Sequence, residues 1–231
     1  MEWEAEVLTT VKKALAFFAH TDDEMICAGT LHRLARQGCE VHVHTFGPAA
    51  VAEDRKGSHV SLGVVTAEWM QALDLIGVAL EHRKLYNFVP SSSLETVYAQ
   101  EIGDAIFNVC ETVRPDAVFT LSPDDENTAH AVVGRQSERV LRGRVPLAIR
   151  CNYPWNFSIG RPNLFVSLSE EDLKVKDAVI CCYKSQFPKP TEAGGTFRYN
   201  YHEMLMSAVR VDGQSVKVEA AEKFEVLRMV V

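Results

Sequence analysis

The chain has 231 residues, of which 47% are hydrophobic and 24% charged, enough for one substantial buried core and a single domain over residues 1–231. A formal charge of −7 argues against a nucleic-acid binder, whose affinity would come from clustered Lys and Arg releasing counterions. The start, MEWEAEVLTT, is acidic where a secretory signal would be basic and then apolar, the six cysteines are spread over a long chain, and no apolar run approaches the roughly 18 residues of a spanning helix; reduced thiols in a soluble, cytoplasmic protein are expected.

In chain order, Ala14 to Ala19 (ALAFFA) is a short continuous apolar run with an abrupt polar end, as in a strand buried on both faces. Glu24 to Gln37 predicts a helix stopped by Gly38, with Leu31, Leu34 and Ala35 at helical spacing. EVHVHTF, ended by Gly47 and Pro48, predicts a second strand. Ala67 to Ile76 places Met70, Leu73 and Ile76 on one helical face before Gly77, and LEHRKLYNF predicts a third strand. An amphipathic helix over Thr96 to Val113 leads through Arg114-Pro115-Asp116 into a second fully apolar strand, AVFTLSP, then a helix from His130 to Leu141 and a fifth strand, PLAIRCNY.

This alternation is that of an α/β fold with a doubly wound, mostly parallel sheet. From Asn163 the pattern changes: a short strand LFVSLS, a helix from Glu170 to about Lys184, a turn-rich aromatic segment FPKPTEAGGTFRYNY, and a terminal strand or helix and strand within SVKVEAAEKFEVLRMV. Residues of about 163–231 are expected to supply lid and edge elements. Ligands of such sheets bind beyond the C-terminal strand ends, and His20 and Pro123 follow two of them.

His20, Asp22 and Asp23 leave the first strand together. Two of them on one metal would leave a carboxylate for proton transfer, the division of labour of a hydrolytic metal site. Asp124-Asp125-Glu126-Asn127-Thr128-Ala129-His130, after the other apolar strand, could add a third ligand, and three protein ligands with an open position characterise catalytic zinc. A His, carboxylate, His set also suits Fe(II) or another divalent ion, so spacing does not select the metal.

Each piece has a plainer explanation. Thr21 to Glu24 fits a capping box, in which hydroxyl and carboxylate satisfy orphan backbone donors, and His130 alone reads as a surface helical residue. Only their joint placement at two strand ends argues for chemistry. His42 and His44 share one strand face and are expected to be packed or hydrogen-bonded. His32 is expected to be exposed on the first helix, while His59, His82 and His202 lack paired ligand spacing. Cys181 and Cys182 are adjacent on a helix and are expected to be buried thiols. No Gly-rich phosphate loop or G-x-S-x-G nucleophile motif is present.

Ala19-His20-Thr21-Asp22-Asp23-Glu24 resembles the A-H-P-D-D-E opening of the LmbE-like, or PIG-L, zinc-dependent N-deacetylases. Asn127-Thr128-Ala129-His130 with Val133-Gly134 resembles their H-P-D-H and following Gly. RPDAVFTLSP, Lys184-Ser185-Gln186 and AEKFEVLR are similar to further family elements, so the resemblance spans nearly the whole chain. It implies a Rossmann-like three-layer fold and a zinc ion held by His20, Asp23 and His130. It also implies Asp22 as general base, removing the acetyl group of an N-acetylated small molecule such as an amino sugar or glycoconjugate. Thr21 replaces the motif Pro, Tyr183 stands where the late element has His, and Asn127 and Ala129 replace a His and an Asp. The replaced His is expected to stabilise the oxyanion, so Asn127 takes that place as a hydrogen-bond donor without an imidazolium's charge. The substitutions leave two readings open, a divergent hydrolase of this or another acyl-amide and a metal-pocket binding protein without turnover. Specificity is expected to lie in the loops Gly47 to Ser58, Asn87 to Ser93 and Pro188 to Tyr201, within which Arg55, Arg198 and Tyr201 are candidates for substrate contact. Homo-oligomerisation is left open.

Overall fold

The computed structural model describes residues 7–49, 60–154, 161–186 and 201–230. Seven strands form one sheet: β1 (Lys13–Phe18), β2 (Glu40–Thr45), β3 (Arg83–Leu85), β4 (Ala117–Leu121), β5 (Leu147–Cys151), β6 (Leu164–Ser167) and β7 (Ala221–Met229). Their spatial order is β3-β2-β1-β4-β5-β7-β6. The first five are parallel, and β7 pairs antiparallel with both β5 and β6. The apolar runs read as buried strands are the sheet's centre: β4 and all of β1 beyond Lys13 are buried.

Six helices that lie wholly within the described residues connect and cover the strands: α1 (Ala28–Arg36), α2 (Leu62–Ile76), α3 (Ala99–Val113), α4 (Thr128–Leu141), α5 (Glu170–Cys182) and α6 (Tyr201–Ser215). From β1 the chain steps outward to β2 and β3, then returns to β4 on β1's other side. Right-handed crossovers in opposite directions place their helices on opposite faces. Accordingly α1 and α2 pack together with α5, while α3 packs with α4. The reversal of direction lies between β1 and β4, so the loops after these strands flank the crevice where a doubly wound sheet binds ligands.

Several boundaries differ from those read in the sequence. Helix α2 begins at Leu62 because the Ser61 side chain caps it, accepting from the Val64 N–H, and Gly77 closes it in the left-handed region at φ 89°. The expected third strand is cut to Arg83–Leu85, since Leu80–His82 forms a 3-10 turn. Tyr201–Ser215, assigned no element from sequence, is helix α6. The segment 187–200 lies outside the described residues.

The largest correction concerns the helix after β1. Asp23–Ile26 is a separate 3-10 turn, and α1 begins only at Ala28. The Thr21–Glu24 capping box does not form. Thr21 Oγ1 instead accepts from the Ala49 N–H at 3.2 Å, and the buried Glu24 carboxylate receives the hydroxyl of the equally buried Tyr183. Long-range partners have taken both groups that a local cap would use. A true capping box occurs at α5, where Ser169 and Asp172 bond reciprocally. His32, expected to be exposed, donates into that cap through an Nδ1 contact of 2.9 Å with Asp172.

Gly134 sets how closely α4 approaches the end of β4. A Cβ there would lie 2.5 Å from Pro123 N and Ser122 C and 2.7 Å from Leu121 O. These are backbone atoms that cannot rotate away, so Gly134→Ala must separate the helix from the strand that together place His130. The expected cost is about 1–3 kcal/mol, checked by urea unfolding.

Candidate active site

The end of β1 and the start of α4 bring His20, Asp23 and His130 together. His20 Nδ1 lies 3.1 Å from His130 Nε2, and Asp23 Oδ1 lies 3.2 Å from the same nitrogen. One donor atom from each of the three residues falls within 4.8 Å of the others. The 3-10 turn explains Asp23's orientation: its Oδ2 accepts the N–H groups of Ala19 and His20, at 3.0 and 2.8 Å. That bonding turns Oδ1 toward His130.

Two residues that sequence reasoning did not single out complete this arrangement. Asp125 Oδ2 accepts from His130 Nδ1 at 3.1 Å, which turns Nε2 toward the cluster as the nitrogen available to a metal. Tyr153 donates its hydroxyl to Asp23 Oδ1 at 2.7 Å, and its ring stacks on His130 with centroids 5.4 Å apart. Asp125 was visible only as one acid in a run. Tyr153 had no sequence signal, since it enters from the strand-end loop after β5.

Charge is concentrated here. Burial, with the neighbouring His130, pushes His20 down to about 4. Burial also acts against a charged His130, but the Asp23 and Asp125 carboxylates override it and raise the imidazole to about 10. Burial and the charge of Asp23 lift Asp22 to about 7. The same carboxylate field that favours a proton on His130 favours any cation at the meeting point of the three donors. Two imidazole nitrogens and a carboxylate oxygen are a donor set suited to Zn²⁺ or Fe(II), so the residues fit a divalent metal.

Asn127 caps α4: its Oδ1 accepts the Ala129 N–H at 3.0 Å, which leaves Nδ2 directed at His130 Nε2, 3.4 Å away. Capping thus fixes the amide with its donor end toward the cluster. Ser185, in the late Lys-Ser-Gln element, donates through its N–H and hydroxyl to Glu68 of α2, and Glu68 adds to the field raising Asp22. Among the other predicted residues, Tyr201 is half-buried at the first position of α6. Arg55 and Arg198 lie outside the described residues. His42 and His44 are packed and bonded as expected, His42 to Glu40 and His44 to the Tyr86 hydroxyl.

The sequence model of the PIG-L (GlcNAc-PI de-N-acetylase) family matches residues 15–141. No curated protein sequence matches the chain. Solved structures share its fold. The conserved protein TT1542 of Thermus thermophilus is 19% identical with a TM-score of 0.75, over 96% of this chain and 97% of that one. The N,N'-diacetylchitobiose deacetylase of Pyrococcus horikoshii is 19% identical with a TM-score of 0.71, over 96% and 86%. A zinc-inhibited form of teicoplanin deacetylase is 15% identical with a TM-score of 0.70, over 92% and 96%.

Proposed function

The chain belongs to the PIG-L (GlcNAc-PI de-N-acetylase) family, and from that premise we propose that it is a zinc-dependent hydrolase removing the acetyl group of an N-acetylated amino sugar or glycoconjugate. The observation that carries the reading is the convergence of His20, Asp23 and His130 donor atoms at the crevice between β1 and β4. Similarity of fold to deacetylases of chitobiose and teicoplanin supports the substrate class. No helix among the described residues is long and apolar enough to cross a membrane. Buried cysteines at 27, 39, 110, 151 and 182 support a reducing, cytoplasmic setting.

His20, Asp23 and His130 would hold the ion. When bound, it supplies Lewis-acid polarisation of the acetyl carbonyl and lowers the pKa of water toward about 7. Asp22, beside the ligands but not among them, accepts the proton of the attacking water and returns it to the departing amine. Asn127 Nδ2, fixed by the cap, donates to the oxygen on which negative charge develops. The buried Tyr153 and Asp125 orient Asp23 and His130 and keep their remaining polar atoms bonded.

The test is acetate release from N-acetylglucosamine derivatives by zinc-loaded protein, measured beside zinc content. Release that depends on zinc supports the reading. Zinc bound at the three ligands without turnover across an acyl-amide panel would replace it by a binding function. Asp125→Asn is expected to weaken zinc binding about 10- to 100-fold, because it removes the carboxylate that fixes the His130 tautomer; competition with a chelator measures the loss.

A further inference from the structure

A second group of donors lies outside this site, between α5 and α6. Asp177 and Cys181 are one helical turn apart on α5, so they project from the same face. His202, at the second position of α6, reaches across to them: its Nε2 is 2.6 Å from Asp177 Oδ1. A carboxylate oxygen, a thiol sulfur and an imidazole nitrogen here all lie within 4.8 Å of one another. Tetrahedral zinc with bonds of about 2.0–2.3 Å needs donors roughly 3.3–3.6 Å apart, a separation that small rotations of the exposed Cys181 and the half-buried Asp177 and His202 supply. Cys181 is exposed, correcting the expectation of a buried thiol, while its neighbour Cys182 is buried.

The contact of His202 with Asp177 already holds two of the three donors together across the two helices, and Cys181 stands one turn along the same face of α5. A second three-residue group, Glu40, His42 and His82, is a poorer candidate. Its imidazoles stack with centroids 4.0 Å apart and planes inclined by only 24°. Lone pairs lie in the ring planes, and planes so nearly parallel do not meet on one ion.

We propose that Asp177, Cys181 and His202 form an accessory site for a borderline-soft divalent cation, zinc above all, that ties the start of α6 to α5. Sulfur, nitrogen and oxygen together select zinc over magnesium or calcium. On binding, the Cys181 thiol releases its proton to solvent and the thiolate ligates the ion; a water fills the fourth position. The site shares no residue with the His20, Asp23 and His130 cluster. It sits at both ends of the connection between α5 and α6, which carries Arg198.

Cobalt substitution separates the two sites, because only a thiolate ligand gives a sulfur-to-cobalt charge-transfer band in the near ultraviolet. The His20, Asp23 and His130 set contains no sulfur. With Co²⁺ added to the metal-free full chain, the band is expected in wild type and lost in Cys181→Ser. Bound zinc is expected to fall from two equivalents to one in that variant. His202→Ala should lose the same equivalent. Absence of the band in wild type, or its persistence in Cys181→Ser, overturns the proposal. If the His20, Asp23 and His130 site alone holds no zinc, wild type still shows the band with one zinc, and if that site binds zinc without turnover, wild type shows the band with two. An unchanged far-ultraviolet circular dichroism spectrum excludes misfolding as the cause of loss.

Discussion

Asp22→Asn is expected to keep its zinc and lose acetate release by about 100- to 10,000-fold in kcat, or about 2.7–5.4 kcal/mol of transition-state stabilisation. The substitution is nearly isosteric, so the 3-10 turn carrying Asp23 should persist. What disappears is a carboxylate able to take and return a proton. His130→Ala, by contrast, should lose zinc and activity together, because it removes a donor atom and leaves Asp23 Oδ1 and Asp125 Oδ2 facing each other without their shared partner. Metal content therefore separates the two roles. Activity that survived Asp22→Asn would remove Asp22 as the base, and zinc loss in that variant would make it a ligand instead.

Much of this site was legible because its key residues sit where short-range pattern and topology coincide. Two continuous apolar runs announced β1 and β4, and a doubly wound sheet brings the ends of such neighbours together. Placement at those strand ends singled out His20, Asp22, Asp23 and His130 together, and the resemblance selected His20, Asp23 and His130 among them as the ligand set. Pattern failed where a distant partner outcompeted a local one. Thr21-x-x-Glu24 has the form of a capping box, but Glu24 is claimed by Tyr183, 159 residues away, and no local window contains that information. Tyr153 was invisible for the same reason, its whole role lying in a contact 130 residues distant in the chain. Helix α6 was missed differently. Leu205, Met206 and Val209 form a readable inward stripe, and Asn200 with Glu203 has the form of a helix start, but both follow a run rich in Gly and Pro whose loop character dominated the reading.

Lys176→Met is expected to cost about 3–5 kcal/mol of stability, a large share of the roughly 5–15 kcal/mol that keeps a domain folded. Lys176 is 1% exposed. Its ammonium donates to Met25 O at 2.6 Å, Ile26 O at 3.1 Å and Glu222 Oε1 at 2.6 Å. Glu222 in turn accepts the first free N–H groups of α1, from Gly29 at 3.1 Å and Thr30 at 2.8 Å, where an anion also suits the helix dipole. This pair closes the gap between the 3-10 turn bearing Asp23 and the helix that follows, replacing the side-chain cap that neither element has. Met at 176 would leave Glu222 charged, buried and short of a partner, and two carbonyls of the turn without a donor. Adding Glu222→Gln removes the stranded charge while keeping an acceptor for α1, so the double variant should be more stable than Lys176→Met alone. Urea unfolding of both measures this, and a single-variant loss below about 1 kcal/mol would show that the pair is dispensable, as well-packed replacements of buried ion pairs sometimes are. Because the carbonyls released lie two and three residues beyond Asp23, zinc affinity should fall in the folded single variant as well. A stability loss with unchanged zinc affinity would confine the pair to holding α1.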